Sequence, residues 1–150
     1  MLSTASLIKK LKTTYPQFIF KQADDYLWSP SEQAVYFAND KNGHGYLLHE
    51  LSHGLLGHAD YNYDIELVAM ERAAWDKAVE LAKDYNLSVN DETIESTLDS
   101  YRDWLHARST CPVCSATGLQ TKKLIYSCPA CSHKWRVNEA RVCALRRFSI

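Results

Sequence analysis

The residues best suited to chemistry stand in the run Tyr46-Leu47-Leu48-His49-Glu50-Leu51-Ser52-His53-Gly54-Leu55-Leu56-Gly57-His58. Inside it His49, Glu50 and His53 form the pattern His-Glu-x-x-His. Positions i and i+4 of a helix lie on one face, one turn apart, so His49 and His53 can aim two imidazoles at one Zn²⁺. Glu50 then falls beside a zinc-bound water without being a ligand, where it can act as general base. Five leucines give the segment a buried character, and Glu50 is the only acid in it. The plainer alternative is a core helix whose histidines are satisfied by backbone or carboxylate partners. Burying three ionisable groups in so short an apolar stretch calls for a strong compensating partner, and a metal ion is one.

A catalytic zinc takes three protein ligands and keeps a position for water. The downstream candidates are His58, Asp60, Asp64, Glu66 and Glu71. Glu71 is the expected ligand, because its helical neighbours Leu67, Val68, Ala74 and Trp75 are all apolar. A carboxylate on such a stripe is costly unless paired or metal-bound. Its alternative is an internal ion pair with Arg102 or Arg72. Glu66, in a mixed setting, is a further candidate. His58 is the rival to Glu71: nine steps of about 100° carry it to the far side of a continuous helix, but Gly54 and Gly57 could turn the chain back. It is one residue short of the spacing H-E-x-x-H-x-x-G-x-x-H, which suits His58 to a supporting place or one near a substrate.

A second constellation is Cys111-Pro-Val-Cys114 and Cys128-Pro-Ala-Cys131, with thirteen residues between the pairs. Each C-x-x-C offers two thiolates on a tight turn, and four close a tetrahedral structural zinc site. Strands are expected at Lys122–Ser127 and Lys134–Val137, making a zinc ribbon. Disulfides or a redox pair are the alternative, and Cys143 is read as a lone buried thiol.

The elements that must position these groups describe an α+β chain. A helix is expected over 3–14, ending before Pro16. Phe18–Phe20, Asp25–Trp28 and Ala34–Ala38, around a Ser29-Pro30-Ser31 turn, read as a small antiparallel sheet packed on a helical core. The motif helix starts near Gly45 or Tyr46 and ends between Gly54 and Gly57. A long helix follows over 64–85 with Asn86 as its C-cap. Another runs from Asp91 to Leu105, capped by Asn90, with Ile94, Leu98, Tyr101 and Leu105 inward.

The 150 residues allow one domain with a real core and a small appendage. Residues 1–105 hold 9 Lys and Arg against 17 Asp and Glu, whereas residues 106–150 hold 8 against 1. This asymmetry sets the expected boundary: a metallopeptidase-like domain over 1–107 and a basic ribbon over 108–150. No apolar run reaches membrane-spanning length and no signal-peptide order is present, so a cytoplasmic protein without membrane partners is expected.

The runs HELSHGLLGH and ERAAWDKA resemble the ImmA/IrrE group of small bacterial and phage metallopeptidases, over roughly residues 33–82. The resemblance implies a compact gluzincin-type zincin that hydrolyses peptide bonds of protein substrates. Its ligands would fall on His49, His53 and Glu71, with Glu50 as base. The SprT-like proteases, which join H-E-x-x-H to a C-terminal ribbon and act on DNA-associated proteins, are similar in architecture.

The expectation is therefore a zinc metalloendopeptidase with one catalytic and one structural Zn²⁺, acting on a peptide lying along the sheet beside Ala34–Ala38. Tyr61, Tyr63 and His58 are candidate oxyanion donors. The alternative is an adaptor with an inactive core whose ribbon binds protein or nucleic acid. Arg108, Lys122, Lys123, Lys134, Arg136, Arg141, Arg146 and Arg147, with Tyr126, Trp135 and Phe148 among them, suit a nucleic-acid partner. They suit docking on the acidic domain as well.

Overall fold

A computed structural model describes residues 2–139 and 145–150. The fold is α+β. Among the described residues are four α-helices, a 3-10 turn and seven short strands in two small sheets. None of the helices is long and apolar enough to cross a membrane. The chain divides into two compact units, Met1–Ala59 with Met70–Ile94, and Asp60–Ala69 with Glu95–Ile150.

In the first unit, helix α1 (Thr4–Thr14) is capped by the Ser3 hydroxyl, which accepts from the Ser6 N–H, and buries Leu7, Ile8 and Leu11. Strands β1 (Ile19–Gln22), β2 (Leu27–Ser29) and β3 (Ala34–Phe37) form a sheet in the order β1-β3-β2. The expected antiparallel sheet is in fact mixed: β2 pairs antiparallel with β3, but β1 pairs parallel with it. The segment between β1 and β2 carries the chain past the end of β3, where the Ala23 N–H bonds the Phe37 carbonyl. β1 and β3 therefore run the same way. The strand proposed from the sequence as a peptide-binding edge, around Ala34–Ala38, is the central one. Its ladder positions are taken on both sides, and the open edges belong to β1 and β2.

Helix α2 (His44–Leu55) packs on β2 and β3. Its approach needs Gly54, where a Cβ would stand 2.9 Å from Cζ3 of Trp28. Helix α3 (Asp64–Asp84) ends in a turn with Asn86 at φ 53°: the Leu87 N–H bonds the Ala82 carbonyl and the Asn86 N–H bonds that of Lys83. That is a Schellman cap with Asn in its left-handed position.

Helix α4 (Asp91–Ser109) runs four residues beyond its expected end. Asn90 caps it as expected, accepting from the Glu92 N–H at 2.7 Å. Of its expected inward residues, Leu98 is buried, while Ile94, Tyr101 and Leu105 are half-buried. In the second unit, strands β4 (Leu119–Lys122), β5 (Ile125–Ser127), β6 (Lys134–Val137) and β7 (Arg147–Ser149) form an antiparallel sheet in chain order. The single strand expected over Lys122–Ser127 is broken by a turn at Lys123-Leu124, with Leu124 at φ 65°.

This unit joins the cysteine module to the first residues of α3 through a buried ion pair. Arg108, at the end of α4, donates from Nε to Oδ2 of Asp64 at 2.8 Å. The Tyr126 hydroxyl donates to the same oxygen at 2.6 Å. The guanidinium lies over the Trp104 ring, and the Trp135 indole N–H donates to the Arg108 carbonyl. Three placements read from the sequence are corrected here. Arg108 is not part of a basic surface, and Tyr126 and Trp135 are core residues, 2% and 0% exposed. Arg141 and Cys143 lie outside the described residues.

Candidate metal centres

The histidine centre is built from α2 and α3. An apolar α2 face of Leu47, Leu48 and Leu51 seats the helix on the sheet and buries His49 and His53 one turn apart. Glu71 comes from α3 and is 5% exposed. His49 Nε2 lies 2.9 Å from Glu71 Oε2, and His53 Nε2 lies 3.2 Å from Oε1. The two Nε2 atoms are 3.2 Å apart. Nitrogen and oxygen ligands at zinc bond lengths stand about 3.3 Å apart around a tetrahedral ion. The three donors already have nearly that spacing, so this set can hold a metal ion.

Burial alone would raise the Glu71 carboxyl. Hydrogen bonds from His49 and His53, and their charge, outweigh it and hold Glu71 well below the usual carboxylate range. The ion pairs considered for Glu71 do not form: Arg102 pairs with Glu95 and Asp99, and Arg72 is exposed. Glu66 is exposed and accepts from the Asn62 N–H at its own helix start.

Glu50, next along α2, is half-buried. Its Oε2 accepts the Trp28 backbone N–H at 2.9 Å. Burial raises its carboxyl above the ordinary value, with the neighbouring histidines and the Trp28 N–H pulling the other way. Trp28 is the residue that the sequence reading missed. Its indole N–H also donates to the His58 carbonyl at 3.0 Å. Nothing in the sequence marks a backbone N–H for such a task; the only signal is a Trp in a strand just before a Ser-Pro turn.

His58 is brought back by the end of α2. Gly57 takes φ 70°, the His58 N–H bonds the His53 carbonyl, and the Gly57 N–H bonds that of Gly54. This is another Schellman cap, for which Gly57 supplies the left-handed residue. His58 Nδ1 thereby meets His53 Nδ1 and not the ligand cluster. His49 is steadied differently. Trp75 stacks on its ring at 4.1 Å between centroids, and its Nδ1 is buried without a hydrogen-bond partner. The remaining oxyanion candidates, Tyr61 and Tyr63, belong to the second unit.

The cysteine centre repeats one turn twice. The Ser115 N–H bonds the Cys111 carbonyl and the Ser132 N–H bonds that of Cys128. Both serines are left-handed, at φ 65° and 66°. The Cys111 N–H in turn bonds the Ala116 carbonyl and the Cys128 N–H that of His133. Sγ of Cys111 is 3.7 Å from that of Cys131, and Sγ of Cys114 is 3.5 Å from that of Cys128. All four cysteines are free. Four thiolates around a zinc stand about 3.8 Å apart, so this set too can hold a metal ion. Cys111 and Cys128 pack against Tyr126, Trp135 and Val137.

No protein-family model, curated protein or solved structure matches the chain.

Proposed function

We propose that the protein is a zinc-dependent metalloendopeptidase of compact gluzincin type, with a structural zinc in its cysteine module. The observation that carries this reading is the convergence of His49 Nε2, His53 Nε2 and the Glu71 carboxylate, with the Glu50 carboxylate one residue along the same helix. Two imidazoles and a carboxylate suit zinc at the first centre, and four thiolates suit it at the second. The resemblance of HELSHGLLGH and ERAAWDKA to the ImmA/IrrE group supports the same ligand set.

His49, His53 and Glu71 would hold a divalent ion, which would supply Lewis acidity to the scissile carbonyl and the attacking water. Glu50 takes the water's proton and returns it to the departing amine. The Trp28 N–H fixes Oε2 of Glu50, leaving Oε1 to accept that proton. Burial makes Glu50 a stronger base than an exposed glutamate. Because β2 both carries Trp28 and forms an open edge of the sheet, an extended peptide would lie along β2.

The test is metal content by elemental mass spectrometry together with cleavage of a peptide library. Two zincs are expected in the wild type and one in His49→Ala. Glu50→Gln should keep both zincs and lose cleavage. One zinc in wild type and His49→Ala alike, or undiminished cleavage by Glu50→Gln, would overturn the reading.

A further inference from the structure

The four-stranded sheet of the second unit has two unlike faces. Tyr126 and Trp135 are cross-strand partners and both are buried, so their row lies on the inner face. The neighbouring rows point the other way. In one, Lys122 and Ile125 are paired, Ile125 is opposite Arg136, and Arg136 is opposite Phe148. In the other, Leu119 is opposite Ser127 and Ser127 opposite Lys134, with the Ile150 N–H on the Lys134 carbonyl.

This outer face is basic and apolar at once. Lys122, Lys134 and Arg136 are exposed, and no acid occurs in any of the four strands. Leu119 and Ile150 are each 64% exposed and Phe148 is 42% exposed. The Arg136 guanidinium lies 5.3 Å from the centroid of the Phe148 ring. That pair is a flat platform of a kind on which a nucleobase stacks, with Lys122 in the same row and Lys134 in the other outward row of the sheet. An acidic protein surface would satisfy the cations but would offer nothing flat to the ring.

We propose that the outer face of this sheet binds single-stranded nucleic acid, with a base stacked on Phe148 and Arg136 and phosphates on Lys122 and Lys134. The assignment does not depend on peptidase activity. It also differs from the surface read from sequence alone, since Tyr126, Trp135 and Arg108 take no part.

The test uses the full zinc-loaded chain and a fluorescein-labelled mixed-sequence 20-nucleotide single strand, followed by anisotropy at several salt concentrations. Binding should weaken steeply with salt. The triple variant Lys122→Gln, Lys134→Gln, Arg136→Gln should lower the log–log salt slope by about 1.4, since Lys122 and Lys134 each hold a phosphate and each phosphate contact on a single strand contributes about 0.7. Phe148→Ala should weaken binding roughly 5- to 100-fold with the salt slope kept. All substituted side chains are exposed, and unchanged zinc content confirms that the variants are folded. Salt-independent binding, full affinity in the triple variant, or an equal hold on duplex that ignores Phe148→Ala would overturn the proposal. So would equal competition by polyglutamate, which would assign the face to an acidic protein.

Discussion

His53 Nδ1 and His58 Nδ1 face each other at 2.9 Å, on rings whose centroids are 5.1 Å apart. A hydrogen bond across that gap needs one proton on one of the two nitrogens. If His53 gives its Nε2 lone pair to a metal, its own Nδ1 carries the proton and His58 accepts it. Burial, reinforced by His53 alongside, lowers the His58 pKa and keeps that ring neutral and able to accept. His58 is thus a positioning residue for a ligand. His58→Ala should weaken metal binding at the histidine centre by roughly 10- to 100-fold and leave the cysteine centre unchanged. The turn survives the substitution, because it uses the His58 backbone N–H. Competition with a chromogenic chelator measures both affinities, and an unchanged first affinity would remove His58 from the site.

Gly54 faces the indole of Trp28, and that indole is pinned by its bond to the His58 carbonyl. Gly54→Ala gains about 1 kcal/mol in helix propensity but forces ring and helix apart, a cost of about 1–3 kcal/mol. The expected net effect in urea unfolding is neutral to about 2 kcal/mol destabilising. Trp28 also holds Glu50, so the proposed peptidase activity should fall as well. Full activity in Gly54→Ala would show that the close fit is not needed.

At the cysteine centre, burial opposes ionising Cys111, yet the N–H groups of Cys114 and Val113 outweigh it and bring the thiol down to about 7. For Cys131 the balance runs the other way. The His133 N–H favours its thiolate, but burial and the other sulfurs push it up to about 12. Cys114 is also raised. Four thiolates therefore need a cation among them. Zinc added to metal-free protein at pH 7.5 should release about two protons or more at this centre, which a pH indicator counts. Chelation should expose Trp135, now fully buried, and shift its emission to the red.

Both candidate centres were legible in the sequence because they rest on local spacing. Two histidines at i and i+4 and two C-x-x-C turns carry their geometry with them, and Glu71 announced itself as a carboxylate on an apolar stripe. What escaped depends on distant chain segments. The side of β3 on which β1 lies is not encoded in the strand residues, so the sheet was read as antiparallel. Arg108 looked like one more surface cation because its partner Asp64 is 44 residues away. Trp28 acts on Glu50 through its backbone, which no side-chain pattern reveals.

The Asp64–Arg108 pair is buried at both ends, with side chains 3% and 2% exposed. Asp64→Ala leaves a guanidinium without its carboxylate in a closed site and should cost about 3–5 kcal/mol. Denaturant unfolding measures it. A loss below about 1 kcal/mol would mean that water reaches Arg108 and the pair is not a lock for this unit.

Tyr126 donates to the same carboxylate, and its ionisation gives this network a pH signature. Burial, then the hydrogen bond to Asp64, raises the phenol well above its usual value near 10. The folded protein thus keeps a proton that the unfolded chain loses above about pH 10. Stability from this source is complete below the ordinary tyrosine value and is lost as pH rises beyond it, at up to about 1.4 kcal/mol per pH unit. Tyr126→Phe deletes the hydroxyl and should cost about 1.5–3 kcal/mol at neutral pH, while flattening the alkaline slope. Urea unfolding from about two pH units below the unfolded tyrosine value near 10 to about one unit above it, with phenolate absorbance followed alongside, reads both effects. A wild-type slope no steeper than that of Tyr126→Phe would show that the phenol ionises in place and that the bond to Asp64 does not hold its proton.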